Sequence, residues 1–159
     1  MRFIHDTRDC VGKHQNVLSY LEANGHTIVR SKLFVGDVSL LHDQTTCIDL
    51  KKDLQECAGN LCQQHERFRA ECTRAKDAEI RLVILVQHSA SIKSIDDVRG
   101  WVNPRLRTSP KAVTGGRLAA IMETMADKYG VEWAFCSKSE TGRVICEILG
   151  VDVSNGSVQ

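Results

Sequence analysis

The stretch "KLFVGDVSLLHDQTTCIDLKKD", residues 32–53, decides how the chain is read. Two short apolar runs flank the polar connection "HDQTT", the pattern of a β-hairpin. Each arm carries one aspartate, Asp37 and Asp49, although strands disfavour Asp and half-buried sheet positions disfavour it more. Side chains alternate along a strand, so Asp49 and Lys51 project to one face while Ile48 and Leu50 project to the other. With the turn centred near Asp43, Asp37 faces Asp49. Directly opposed β-carbons lie about 4.5–5.5 Å apart, where like charges destabilise the pair. A divalent cation between the carboxylates relieves that repulsion, and two carboxylates completed by water suit Mg²⁺ or Mn²⁺. Lys51, on the same face, is placed to stabilise developing negative charge or to orient an attacking water. Two acids and a lysine around a cation match metal-assisted phosphodiester hydrolysis. The tripeptide Asp-x-Lys is common in solvent-facing strands. Gly36-Asp37 upstream and a third acid on the first strand give it functional weight.

Strand and helix patterns alternate on either side of the hairpin. "RFIHDTR" reads as a strand, residues 11–24 as an amphipathic helix with Val17, Leu18 and Leu21 on one face, and "HTIVRSKL" as a second strand. Gly25 supplies the helix stop. A long polar helix is expected over about 53–77. "IRLVILVQH" is apolar without alternation, as a central strand covered on both faces must be. "GGRLAAIMETMADKYG" reads as a helix ending at Gly130, "VEWAFCS" as a strand and "SETGRVICEILG" as a final helix. The order β-α-β-β-β-α-β-α-β-α implies an α/β fold, a mixed central sheet flanked by helices on both faces. At 159 residues one domain is expected over 1–150, with a frayed tail at 151–159.

Composition narrows the classes further. The chain is 42% apolar and 26% charged with a formal charge of +1, so nucleic-acid binding has to come from local patches. No apolar run approaches the roughly 20 residues that cross a bilayer. The opening "MRFIHDTRDC" holds two acids and enters a strand directly, unlike a signal peptide. Seven scattered cysteines fit a reducing compartment, and a cytoplasmic setting is expected. Cys57, Cys62, His65 and Cys72 do not form a zinc set on one helix, because Cys57 and Cys62 are about 140° apart around it. "TGGR" and "ETGR" lack the Lys-Ser/Thr of a nucleotide-binding loop.

"VGDVSL" followed by "CIDLKK" resembles the Gly-Asp … Glu-Arg-Lys signature of the XPF-type structure-specific endonucleases, a branch of the PD-(D/E)xK superfamily with a restriction-endonuclease-like core. "IHDTRD" is similar to that family's first strand, which ends in Asp-x-Arg-Glu. The resemblance implies Asp37 as principal metal ligand, Asp49 as second ligand, Lys51 as catalytic lysine, Asp6 as an outer acid and Arg8 as its companion. "NLCQQHERFRAE" resembles the family's Gln- and Arg-bearing helix behind the site, which adds Gln64 and Arg67 in supporting roles. The pattern departs from the family at Asp49 in place of Glu, Leu50 in place of Arg, and Gln55 in place of an acid. Asp53 and Glu56 are the nearest substitutes for the last. The second half resembles small stand-alone versions carried by bacteriophages and mobile elements. The resemblance implies a metal-dependent DNA endonuclease preferring branched or flapped duplexes. The alternative is a non-catalytic DNA-binding or adaptor domain that keeps the fold.

Larger family members add tandem helix-hairpin-helix domains, so this chain is expected to bind DNA with the nuclease fold, a second copy or a separate partner. From Arg99 to Arg117, "RGWVNPRLRTSPKAVTGGR" holds five cations and no acid. Arg105, Arg107, Lys111 and Arg117 are the candidate phosphate contacts, with a helix amino terminus near Thr114 and Trp101 as a stacking platform. Family members of this fold work as dimers, and the stripe Val144, Ile145, Ile148 and Leu149 is either core or part of a homodimer interface.

Overall fold

The computed structural model describes residues 1–153. The elements run β1 (Arg2–His5), α1 (Gln15–Ala23), β2 (Thr27–Arg30), β3 (Val38–Leu40), β4 (Thr46–Lys51), α2 (Leu54–Cys62), α3 (His65–Asp77), β5 (Arg81–His88), α4 (Ile95–Arg99), α5 (Gly115–Tyr129), β6 (Glu132–Ser137) and α6 (Thr141–Ile148). They build one six-stranded sheet in the order β2-β1-β3-β4-β5-β6. β3 is antiparallel to both β1 and β4, whereas β1–β2, β4–β5 and β5–β6 are parallel. The sheet is therefore mixed, as the element order implies.

β5 shows why this order folds. Leu82, Ile84 and Val86 enter a core under α2, α3, α4 and α5, while Val83 and Leu85 enter a second core under α1 and α6. All five are at most 2% exposed. Burying each contributes about 1.5–3 kcal/mol before chain entropy is counted. The apolar run without alternation is the signature of that double cover. β4 differs. Ile48 and Leu50 fill the α1/α6 core, so Asp49 and Lys51 turn to the face beneath α2 and α3.

Several local expectations need correction. The helix expected over 53–77 is two helices, because the Gln63 and Gln64 N–H groups both reach back to the Gly59 carbonyl and the regular ladder stops there. α1 starts at Gln15, not at residue 11, since Gly12 and His14 take left-handed φ values of 89° and 61°. The second strand ends at Arg30, short of Leu33. α4 lies in a stretch to which the sequence patterns assign no element, although Ser94 and Asp97 form a full capping box around its start. At the carboxyl end Val151 is buried and donates its N–H to Cys146, while Val153 packs on the same core. Residues 151 and 153 are thus packed where a frayed tail is expected, and the rest of that tail, 154–159, lies outside the described residues. The stripe on α6 is core: Ile145 is fully buried, and Val144, Ile148 and Leu149 pack beside it. Among the described residues no helix is long and apolar enough to cross a membrane.

Candidate active site

β4 positions the first two functional side chains. Lys51 Nζ lies 2.8 and 3.1 Å from the two Asp49 carboxylate oxygens and 5.3 Å from the Phe68 ring centroid on α3. Asp49 is 3% exposed and Lys51 7%. Burial opposes a charge on Lys51, but the adjoining Asp49 carboxylate overcomes it and holds the ammonium above its ordinary pKa. The lysine therefore stays charged throughout the physiological range.

Asp37 is tied to the same strand twice. Its N–H donates to the Ile48 carbonyl at 2.7 Å, and its Oδ2 accepts the Leu50 N–H at 2.7 Å. The side chain thus takes over a backbone donor of β4 and holds its carboxylate beside Asp49. The register continues the pairing of Val38 with Ile48 and Ser39 with Cys47. Loss of water and the charges of Asp49 and Asp9 push the Asp37 carboxyl well above its ordinary pKa, against the Leu50 N–H and Lys51.

Gly36 makes this approach possible. Its φ is 77°, and a β-carbon there would lie 3.0 Å from the Ile48 carbonyl oxygen and 3.2 Å from Cys47 Cβ. Its N–H donates to Glu71 on α3 at 2.8 Å. Gly36→Ala is expected to cost about 1–3 kcal/mol, combining left-handed strain with the close contact. A urea midpoint equal to that of the parent would show that the turn is not constrained in this way.

These residues open on a cleft of about 240 Å³ between the hairpin, the loop after β1, and α2 and α3. All seven residues expected at the site, Asp6, Arg8, Asp37, Asp49, Lys51, Gln64 and Arg67, line it. Asp6 is committed to structure: Oδ1 accepts the Leu33 N–H at 2.8 Å, and Oδ2 accepts Arg8 Nε at 2.6 Å. Its effect on the cleft runs through Arg8 and the strand end.

Four contributors were missed in the sequence. Asp9 is 9% exposed and accepts from Lys13 at 2.9 Å. His14 follows at the start of α1, and burial holds its imidazole down at a pKa of about 4, so it is neutral at pH 7. Glu71 and Arg74 share the cleft-facing side of α3 with Gln64, Arg67 and Phe68. Their offsets of three, four and seven residues are a readable helical face. Burial and the Asp49 charge raise the Glu71 carboxyl, partly offset by the Gly36 N–H.

The cations expected to meet DNA lie farther along the chain. Arg105, Lys111 and Arg117 line a second hollow of about 790 Å³, between α2 and the segment leading into α5. The Thr114 hydroxyl caps α5 by accepting the Arg117 N–H at 3.2 Å. Arg107 is exposed in a 3-10 turn at Pro104–Arg107 and does not line that hollow. Arg99 is paired with Asp96 and Glu123. Trp101 is half-buried against the core and meets His88 edge-on, with ring centroids 6.1 Å apart.

Comparison with known proteins places the geometry in a wider setting. XPF from Aeropyrum pernix has the same fold, with a TM-score of 0.64 at 19% identity, covering 100% of this chain and 64% of that one. XPF from Aeropyrum pernix in complex with DNA matches with a TM-score of 0.64 at 20% identity, over 94% of this chain and 63% of that one. The chain therefore spans a little under two thirds of these structures. No curated protein sequence matches it. The ERCC4 domain family matches residues 6–148, from the acid after β1 to the last residue of α6, and the chain belongs to that family.

Proposed function

We propose that the chain is a divalent-metal-dependent DNA endonuclease acting on branched or flapped duplexes. The observation that carries this reading is the convergence of Asp37, Asp49 and Lys51 on one polar cleft, with Asp37 anchored to the Leu50 N–H. The donor set fits a hard cation: carboxylates crowd together until one of them resists ionisation, and Lys51 bridges Asp49. Mg²⁺ or Mn²⁺ held by Asp37 and Asp49 supplies Lewis acidity toward a phosphoryl oxygen and a place to activate water. The protein's own groups do the rest. Lys51 directs its ammonium at the charge that develops on the phosphate. Arg67 and Arg74, on one face of α3, are positioned to hold flanking phosphates, and Asp6 fixes Arg8 at the rim. Asp49 keeps Lys51 in place and charged.

The complex of Aeropyrum pernix XPF with DNA supports DNA as the polymer. Arg105, Lys111 and Arg117 extend the cationic surface past α2, away from the reacting centre. Phosphate contacts dominate such an interface, and each contributes nearly one unit to the slope of log affinity against log salt on B-DNA. Replacing Arg105, Arg107 and Lys111 together by Ala is expected to flatten that slope by up to about three units and to weaken all sequences alike. Fluorescence anisotropy on flap, fork, four-way-junction and plain duplex DNAs reads both effects. A parental slope in the triple variant removes this surface from the account. Equal affinity and equal cleavage across the four DNAs removes the preference for branches.

A further inference from the structure

We propose that Asp9, His14 and Asp37 form a second cation site beside the Asp37–Asp49 pair, selective for ions that accept imidazole, such as Mn²⁺, over Mg²⁺. The inference rests on the reading of Asp37 as a metal ligand and extends it to Asp9, at the last position of the stretch similar to Asp-x-Arg-Glu, and to His14, which lies outside that stretch. One ligand atom from each of the three residues lies within 4.8 Å of the others. In an octahedron with bonds of about 2.1 Å the ligand atoms are roughly 3.0 Å apart when cis and 4.2 Å when trans, so a separation at the 4.8 Å limit closes by about 0.6–1.8 Å, within reach of side-chain rotation.

The independent observation is the imidazole itself. The His14 side chain is 4% exposed, and its Nε2 is buried without a hydrogen-bond partner. That nitrogen lies 3.5 Å from Asp9 Oδ2 without making a hydrogen bond to it. Buried polar nitrogens are almost always satisfied, so an orphan aimed between two carboxylates points to a ligand.

The neighbouring groups leave this place to His14. Arg30 donates to His5 Nδ1 at 2.7 Å, which fixes the His5 proton on Nε2, where it is given to Asp9 at 3.3 Å. His5 is therefore a donor to Asp9 and has no free lone pair. Lys13 occupies Asp9 Oδ1 from outside, but its side chain is 39% exposed and can withdraw into solvent when a cation arrives. A mixed nitrogen–oxygen set favours Mn²⁺ and later transition ions over Mg²⁺, whose preferred partners are oxygens.

Counting bound Mn²⁺ on the full chain by electron paramagnetic resonance tests the site without reference to cleavage. The parent is expected to bind two equivalents, and electron-spin-echo spectra of the doubly loaded protein should carry ¹⁴N modulation from a bound imidazole. His14→Ala and the closer-sized His14→Gln should each lose the modulation and weaken one equivalent by about tenfold or more. Asp49→Asn should weaken the other equivalent and keep the modulation. Two equivalents of parental affinity in both His14 variants, or no ¹⁴N modulation in the parent, overturns the second site and leaves the Asp37–Asp49 reading standing. Loss of one equivalent in the His14 variants with both kept in Asp49→Asn supports the second site and removes Asp49 as a ligand.

Discussion

Asp37→Asn is expected to abolish cleavage, by at least about a hundredfold, and at the same time to make the metal-free protein more stable at neutral pH. The two effects share one cause. Asp37 sits among the carboxylates of Asp49 and Asp9 in a cleft that water only partly reaches, so ionising it is unfavourable in the folded chain. Its folded pKa lies above the unfolded value of about 3.9. The native state then holds the extra proton, and stability falls as pH rises through the interval between the two values. An amide keeps the hydrogen bond from Leu50 N–H and removes the charge. The stability gain should be on the order of 1 kcal/mol or more at pH 7.5 and should shrink steadily toward pH 4.5. Thermal melts in chelator at both pH values read it. A gain that grows on acidification would mean that Asp37 is not the crowded acid. DNA affinity should stay near or above the parent's, because one less acid repels phosphate.

Lys51→Met is expected to destabilise the protein by about 3 kcal/mol, since it leaves Asp49 charged and buried without its partner. For a chain of this size that corresponds to a fall in Tm of about 10 °C. Adding Asp49→Asn in the same chain should recover most of the loss, because the cost lies in the stranded carboxylate and not in the missing ammonium. Cleavage by the single variant should slow by about 10²–10³-fold with metal still bound, as expected when a donor to developing charge is lost. A single variant as stable as the parent would show that Asp49 gives up its charge or finds water when Lys51 leaves.

Much of this site was legible in the sequence because strand periodicity is rigid. Once Ile48 and Leu50 are assigned inward, Asp49 and Lys51 have no other face to occupy, and β5 announces its central position by lacking alternation. The hairpin register followed from the symmetric polar turn around Asp43. The helical and loop contributions were less legible for physical reasons. No proline marks the break at Gln63–Gln64; the ladder instead reaches back to Gly59, and an isolated helical Gly is usually tolerated. Glu71 and Arg74 lay on a readable helical face with Arg67, yet their value depends on that face meeting the hairpin, which is a tertiary fact. Asp9 lines the cleft and His14 lies behind it near Asp9 and Asp37; His14 takes a left-handed φ just before α1, a turn that helical periodicity across residues 11–24 hides. The Ser94–Asp97 capping box was present in the sequence and was the clearest signal passed over.

The central claim is that the Asp37–Asp49–Lys51 cleft is the cleaving centre and needs a divalent cation. Single-turnover cleavage of a labelled flap DNA, with enzyme in excess, tests it most directly when run with Mn²⁺ and with chelator on the parent and Asp37→Asn. The expected result is a cut product from the parent in Mn²⁺ only, with none from Asp37→Asn although both proteins bind the flap. Cleavage in chelator, or cleavage of equal rate by Asp37→Asn, would contradict the account.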